Sequence, residues 1–195
     1  MIPGSESISR KTVLICLALV LFVGAFLRLP PALFSAPSAP LHSIAILHPN
    51  PKWQDLGLVG VDEGLYRDYV DQLSAAGITH YPNIIRAYVA KQTELPGAIL
   101  PPTRVLYILA GYLWHSVFGT DALSSLKNVA SSFSMLTLGL AALMAWRING
   151  AAWSIPLAAL VAFAPTQLHM SQHAMIDGFF AFWALLTLWL FWENL

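Results

Sequence analysis

Five stretches of the sequence contain no Asp, Glu, Lys or Arg: residues 12–27, 105–120, 128–146, 148–176 and 178–192. A helix needs about 20 mostly apolar residues to cross the hydrocarbon core of a bilayer, and each stretch has or approaches that length. The pattern predicts four to five hydrophobic helices, at about 12–29, 104–119, 126–146, 151–165 and 178–192. The predicted fold class is therefore an all-α integral membrane protein.

The fourth stretch is apolar only over residues 151–164, where Pro156 interrupts it and Pro165 ends it. A run of polar residues follows, up to Asp177. So short an apolar run is more typical of a re-entrant or buried helix than of a full crossing. Segment 151–165 is predicted to be either re-entrant or a complete span, and the choice decides which membrane face Asp177 reaches.

Residues 30–103 form a long loop after the first span and hold six of the ten acidic residues. The first half is rich in proline, which predicts extended chain. In the second half Leu65, Tyr69 and Leu73 recur every four residues, and Gly77 follows as a helix C-cap. Residues 84–91 repeat the amphipathic pattern. We therefore predict two amphipathic juxtamembrane helices lying on the membrane surface.

Composition narrows the class of protein further. Hydrophobic residues make up 57% of the 195-residue chain and charged residues 10%, whereas a soluble domain carries about 25% charged residues. A formal net charge of +0 lacks the basic surface that a nucleic-acid partner requires. The single cysteine, Cys16, excludes an intrachain disulfide and a CxxC metal site. These counts exclude a soluble enzyme, a nucleic-acid binder and a disulfide scaffold.

Basic residues immediately before the first span predict the orientation of the chain in the membrane. Arg10 and Lys11 place the N-terminus in the cytoplasm by the positive-inside tendency, and loop 30–103 is then extracytoplasmic. The expected location is a bacterial plasma membrane, with several membrane crossings. A cleaved signal peptide stays open as an alternative, because small residues follow at 35–39.

Two acidic positions stand out against this apolar background. Asp62 and Glu63 open the first amphipathic helix, where they could act as an N-terminal cap that the helix dipole stabilises. Charge at a membrane border is costly and more often functional, which makes the pair a candidate catalytic site. Asp177 begins the last hydrophobic segment and is either a second site residue or a helix cap.

Three residues before and at the last span have the spacing of a metal site. His169, His173 and Asp177 lie at i, i+4 and i+8, which is one face if the segment is a continuous helix. That arrangement can hold a divalent metal, although histidines at a membrane border more often form interfacial hydrogen bonds. No cofactor is assigned from the sequence, and a divalent metal stays open.

The order of these features resembles a known family. A hydrophobic span, Asp62-Glu63 in the next loop, two surface helices and Pro101-Pro102 before the second span resemble the polytopic C-type glycosyltransferases. The similarity is greatest to the protein mannosyltransferase and aminoarabinose transferase family (glycosyltransferase family 39). Phe118-Gly119 and the segment from Ala164-Pro165 to Asp177 are similar to later motifs of that family. The family often has a lysine where this chain has Leu100 and an arginine where it has Gln172.

The resemblance implies transfer of a sugar from a polyprenyl-phosphate donor to an acceptor hydroxyl, with inversion, at the extracytoplasmic face. Asp62 would be the base and Glu63 a positioning residue, while Asp177 and three cations would bind substrate or its phosphate (Arg67, Arg86 and Arg104). Residues 1–195 would be the N-terminal part of such an enzyme, with the bilayer and an unidentified acceptor as partners.

Two other classes of function remain open at the level of sequence. A transporter or flippase-like subunit would use Asp177 and His173 as a polar pathway through the membrane. A non-catalytic assembly subunit would need neither carboxylate site.

Overall fold

The computed structural model describes residues 9–35, 38–47, 60–94 and 104–195, and every regular element within these ranges is helical. The helices have the following bounds: α1 Arg10–Arg28, α2 Ala32–Ser35, α3 Val61–Ala76, α4 Tyr81–Glu94, α5 Val105–Phe118, α6 Ala122–Asn149, α7 Ala151–Phe163, α8 Pro165–Gln172 and α9 Ile176–Glu193. Short 3-10 turns lie at His42–Leu47 and Ile78–His80.

Three of the described helices, α1, α6 and α9, are long and apolar enough to cross a membrane. The consecutive helices α7 and α8 meet at a 55° bend and together pass the same test, which brings the number to four if the pair is one span. Helix α5 is apolar but only 14 residues long. The prediction of an all-α, multi-pass membrane protein is confirmed at this level. The cytoplasmic position of the N-terminus stays a prediction.

Contacts along α6, the longest helix, give the direction of its neighbours. Gly24 of α1 lies against Leu138, while Arg28, one turn later, bonds to Ser134. Helix α1 is therefore antiparallel to α6. Helix α9 runs parallel to α6, because Gly178 at its start lies beside Ala130 and its last residue, Glu193, forms an ion pair of 3.9 Å with Arg147.

Helix α5 accompanies only the first half of α6. Gly111 in the middle of α5 packs against Leu126 in the second turn of α6, and the Tyr107 hydroxyl donates to the Leu126 carbonyl at 3.2 Å. In the second half of α6, Leu138 and Ala142 pack with α1 and α7, and Arg147 pairs with Glu193 of α9. With 14 residues against 28, α5 spans roughly 20 Å at 1.5 Å per residue, about half the length of α6.

These directions place several chain segments at one end of the bundle, which we call the loop end. Helix α1 reaches it at Arg28, α8 reaches it at Gln172, and α9 starts from it. Gln172 donates to the Leu27 carbonyl at 3.0 Å, and Ala174 contacts Glu63 at the start of α3. Asp177 and Glu63 thus lie at the same end, because α6 leaves it and the α7–α8 pair returns to it.

Helix α3 packs on α5 and α6 through its apolar face. Tyr69 and Leu73 are buried there as predicted, together with Tyr66 and Val70. Gly77 ends the helix with φ +81°, a left-handed conformation that glycine adopts without strain, and its N–H donates to the Leu73 carbonyl at 2.7 Å. The predicted helix and its cap are confirmed.

Helix α4 packs less completely. Ile84 is buried, but Val89, an apolar residue of the segment predicted to be amphipathic, is 58% exposed. The helix contacts α3 and the 3-10 turn at Ile78–His80.

Candidate functional site

Glu63, in the first turn of α3, connects the loop to the segment between α8 and α9. Its side chain is 3% exposed. Oε2 accepts a hydrogen bond from the Gly60 N–H at 3.1 Å, and Oε1 accepts one from the Ala174 N–H at 2.7 Å. His173 Nδ1 lies 3.4 Å from Oε1. Both carboxylate oxygens therefore hold polypeptide backbone in place.

The local sequence explains this position. A glutamate three residues after the N-cap can reach back to the N-cap N–H, one of the amides that a helix leaves unsatisfied at its start. Burial raises the pKa of Glu63. Hydrogen bonds from His173, Ala174 and Gly60, together with the charge of Lys127, outweigh this effect and lower the pKa to about 2. Glu63 is therefore ionised at neutral pH and is poorly suited to accept a proton there.

Asp62 differs from its neighbour although both belong to the same helical turn. Its side chain is half-buried, with one part open to solvent. A carboxylate with solvent access can receive a proton from a bound molecule, whereas Glu63 is committed to hydrogen bonds within the protein. The two adjacent acids are thus suited to different tasks.

Aromatic rings and a cation continue the site along α3. The guanidinium of Arg104, at the N-cap of α5, donates to the Tyr66 hydroxyl and lies 5.6 Å from the centre of that ring. Tyr66 packs edge-on against Tyr107 with 5.3 Å between ring centres, and Tyr107 contacts Phe179 of α9 at 5.6 Å. Arg104, one of the predicted phosphate-binding residues, therefore contacts α3 at Tyr66, one helical turn after Asp62.

The second predicted acid and an unpredicted lysine lie near this cluster. Asp177 is exposed in the first turn of α9, and both Asp177 and Glu63 lie within electrostatic range of Tyr107. Lys127, in the serine-rich start of α6, acts on Glu63 in the same way. Lys127 was not among the residues predicted from the sequence. The signal that could have identified it is a single cation at the border of an apolar segment.

Two predicted cations have partners on their own helices. Arg67 pairs with the adjacent Asp68 at 2.9 Å, with the two side chains 42% and 55% exposed. Arg86 donates to Asn83 at 3.1 Å on exposed α4. The structure brings Arg104 to Tyr66, one helical turn after Asp62, but places Arg67 and Arg86 in surface contacts.

The predicted metal-binding face does not form. Helix α8 ends at Gln172 and α9 begins at Ile176, so His169, His173 and Asp177 do not share one helical face. The rings of His169 and His173 lie 4.4 Å apart, centre to centre. Within the described residues no group of three or more His, Cys, Asp or Glu side chains could hold a metal ion. The premise of a continuous helix was wrong because the chain turns at residues 173–175.

Arg28, the last residue of α1, is a buried cation. Its side chain is fully buried, and Nε donates to Ser134 Oγ at 2.9 Å. Nη1 donates to the carbonyls of Gly24 and Ala162, both at 2.9 Å, and Nη2 to that of Val161 at 2.7 Å. Two of these carbonyls belong to the last turn of α7, whose carbonyls lack partners in the helix. Arg28 therefore ties α1, α6 and α7 together beside the site.

Two positions where the sequence departs from the family pattern have different outcomes. Gln172 is buried, and its amide bonds to the end of α1. Leu100 and the Pro101-Pro102 motif lie outside the described residues.

No protein family, no curated protein and no solved structure matches this chain.

Proposed function

We propose that this chain is part of a membrane glycosyltransferase that moves a sugar from a polyprenyl-phosphate donor to an acceptor hydroxyl, with inversion. The reaction would take place at the loop end, on the extracytoplasmic face of a bacterial plasma membrane. The proposal rests on the resemblance of the ordered motifs and on the geometry of the Asp62–Glu63 turn.

The single observation that carries the proposal is the division of labour within this acidic pair. Glu63 is buried and holds the α8–α9 turn through Ala174, whereas Asp62, beside it, has solvent access. A transferase needs one carboxylate to receive the acceptor proton and a rigid frame to place it. The pair supplies both from consecutive residues.

The cations nearby fit the donor that we propose. Arg104 is held by Tyr66, and Lys127 lies close enough to influence Glu63. The polyprenyl phosphate leaves as an anion, so fixed positive charge lowers the energy of the transition state, and a general acid is not required. Arg104 and Lys127 would stabilise the departing phosphate while its lipid chain stays in the bilayer.

The proposed step is a direct displacement. The acceptor oxygen forms a bond to the anomeric carbon as the bond from that carbon to the phosphate oxygen breaks. Asp62 takes the proton of the acceptor hydroxyl, and the bond electrons leave with the polyprenyl phosphate. Attack opposite to the leaving group inverts the anomeric centre.

The test is sugar transfer from labelled polyprenyl-phosphate donors, in membranes that carry the chain in its native reading frame. Asp62→Asn should reduce transfer by at least about 100-fold, the range expected for loss of a general base. Asp71→Asn is the matched control, because it makes the same change at an exposed position of the same helix. Its transfer should equal that of the native chain.

The other outcomes separate the remaining classes of function. Equal transfer by the native chain and Asp62→Asn would remove Asp62 from the role of base. Absence of transfer, combined with translocation that is lost in Asp177→Asn, would replace the enzyme with a transporter. Absence of both would favour an assembly subunit.

A further inference from the structure

Helices α3 and α4 line a groove of about 240 Å³. Each helix contributes side chains with the spacing i, i+3, i+4 and i+7, which places them on one face. The stripe on α3 is Leu65, Asp68, Tyr69 and Gln72, and the stripe on α4 is Ile84, Ala87, Tyr88 and Lys91. The two stripes line the groove from opposite sides.

The chemistry of these stripes differs from that of an ordinary helix pair. Two helices joined by a short turn normally pack through apolar faces. Here the groove contains a carboxylate, a primary amide, an ammonium group and two tyrosines (Asp68, Gln72, Lys91, Tyr69 and Tyr88). These groups form hydrogen bonds in both directions, since the carboxylate only accepts, the ammonium only donates, and the amide and phenols do both.

The two tyrosines and the acid are close together. Burial raises the pKa of Tyr69, and the neighbouring Tyr88 and Asp68 raise it further. Oδ1 of Asp68 already accepts from Arg67, which orients the carboxylate beside the groove. Ile84 at the base is 2% exposed and provides an apolar floor.

We propose that this groove binds a saccharide, through one pyranose ring. A sugar ring presents alternating donors and acceptors at its hydroxyls and an apolar surface at its C–H groups. The hydroxyls match Asp68, Gln72 and Lys91, and the C–H face matches Ile84 and the tyrosine rings. Pockets for larger ligands measure roughly 300–1,000 Å³, so this smaller groove suits a single ring.

This proposal does not rest on the transferase activity, because it concerns binding at α3 and α4 rather than chemistry at Asp62. The measurement is therefore direct binding. The chain is placed in phosphatidylcholine nanodiscs, which avoids glycoside detergents that would compete for the groove. Methyl α-D-mannopyranoside and methyl α-D-glucopyranoside are the probes, with open-chain sorbitol as a chemical control, and saturation-transfer NMR is the readout.

Saturation should pass to the ring protons of at least one pyranoside and not to sorbitol. Gln72→Ala and Lys91→Met each remove one hydrogen-bonding group from an exposed side chain. Each should weaken binding by about fivefold, equivalent to one hydrogen bond of about 1 kcal/mol. Val89→Ala is the matched control, since Val89 is adjacent to Tyr88 but lies outside the groove.

Absence of saturation transfer to both pyranosides would overturn the proposal. Equal transfer to sorbitol, or to the probes in empty nanodiscs, would do the same. Binding that is unaffected by Gln72→Ala and Lys91→Met would show that the saccharide lies elsewhere. Sugar transfer in the membrane assay has no bearing on these outcomes, so the two proposals can fail separately.

Discussion

At the scale of single residues, burial decides what a charged group can do. Glu63 and Arg28 are both buried near the loop end, but each is surrounded by groups of complementary polarity. Glu63 accepts hydrogen bonds from backbone N–H groups, and Arg28 donates hydrogen bonds to backbone carbonyls. These backbone groups stay in place when Glu63 or Arg28 is replaced. Loss of either charged side chain therefore leaves buried polar atoms without a hydrogen-bond partner.

The low pKa of Glu63 predicts a specific dependence of stability on pH. Its pKa falls from the ordinary 4.5 to about 2 on folding. A group with a depressed folded pKa stabilises the fold above its unfolded pKa, and that contribution disappears as the pH falls from about 4.5 towards 2. Its size is about 3 kcal/mol. Glu63→Gln should therefore unfold at a lower temperature than the native chain at pH 7, and this difference should shrink below pH 4.5.

The measurement is thermal unfolding in detergent, followed by tryptophan fluorescence between pH 7 and 2.5. Asp71→Asn serves as the control, because it removes an exposed carboxylate from the same helix, and it should follow the native chain throughout. A difference between Glu63→Gln and the native chain that is constant with pH would show that the carboxylate charge does not stabilise the fold.

Arg28 predicts a different result. Arg28→Met preserves much of the side-chain volume but leaves the carbonyls of Val161 and Ala162 without their donor. We expect a loss of about 3 kcal/mol, the range found when a buried charge network is broken. Arg28→Lys should recover part of it, because an ammonium group can still donate up to three hydrogen bonds. Thermal unfolding measures both.

Arg147→Met is the control for this series. Arg147 is 62% exposed and pairs with Glu193 at 3.9 Å, and exposed ion pairs contribute little. If Arg28→Met were no less stable than Arg147→Met, the hydrogen bonds at the end of α7 would have no structural role.

At the scale of elements, small residues set the distance between α1 and its neighbours. A Cβ atom added at Gly24 would lie 2.7 Å from Leu138 Cδ2 and 2.9 Å from Ala162 Cβ. The leucine can move, but the alanine Cβ is fixed to the backbone of α7. Close helix approach at small residues is the usual way in which membrane helices gain packing. Glycine at this position is therefore a packing requirement.

Gly24→Ala should destabilise the bundle by about 1–3 kcal/mol, the usual effect of overpacking. Gly139→Ala in α6 is the matched substitution, because nothing lies within 4 Å of its added Cβ. Alanine favours the helix over glycine there by roughly 0.5–1 kcal/mol. The unfolding temperatures should thus change in opposite directions, and a shift of the same sign in both would contradict the packing assignment.

Much of this element structure was predictable from the sequence because local patterns determine it. The four-residue spacing of Leu65, Tyr69 and Leu73 predicted α3, and Gly77 predicted its end. The role of His173 was not predictable in the same way. The chain turns after α8, and contact between His173 and Glu63, 110 positions earlier in the sequence, depends on how α3 packs against the α8–α9 turn.

The residues of the candidate site divide in the same way, into those that the local sequence indicates and those that depend on how the helices pack. Charge within an apolar chain drew attention to Asp62 and Glu63, and the family resemblance added Arg104 as a predicted phosphate-binding residue. Lys127 and Arg28 were not identified, because the sequence marks a cation at the border of an apolar segment but does not show which partners the fold brings to it. Arg67 and Arg86 were also predicted to bind the phosphate, but each has a partner on its own helix.

At the scale of the whole molecule, α5 changes how the membrane crossings are counted. Three hydrophobic segments separate the loop from Asp177, and three crossings would put Asp177 on the opposite face. Helix α5, however, accompanies only the first half of α6. Two crossings remain: α6 leads away from the loop end, and the α7–α8 pair returns to it. Asp177 then returns to the face of Glu63.

This arrangement predicts which sites react from the same side of the membrane. Cys16 is the only cysteine, so Cys16→Ser provides a background for single-cysteine variants. Asp71→Cys on α3 and His169→Cys on α8 change exposed residues near the loop end, and Asn194→Cys changes an exposed residue at the other end. In sealed vesicles of known orientation, a membrane-impermeant maleimide should label the first two from one face and the third from the opposite face.

Detergent-opened vesicles give the total labelling of each variant and so correct for differences in reactivity. Labelling of His169→Cys and Asp71→Cys from opposite faces would mean that α5 crosses the membrane after all, and Glu63 could not then hold Ala174. The same experiment assigns the face that carries Asn194, which lies at the end of the bundle where α1 begins with Arg10. Protection of Asn194→Cys in right-side-out vesicles would agree with the cytoplasmic N-terminus that Arg10 and Lys11 predict. It would place Asp62 on the outer surface, where an extracytoplasmic transferase requires it.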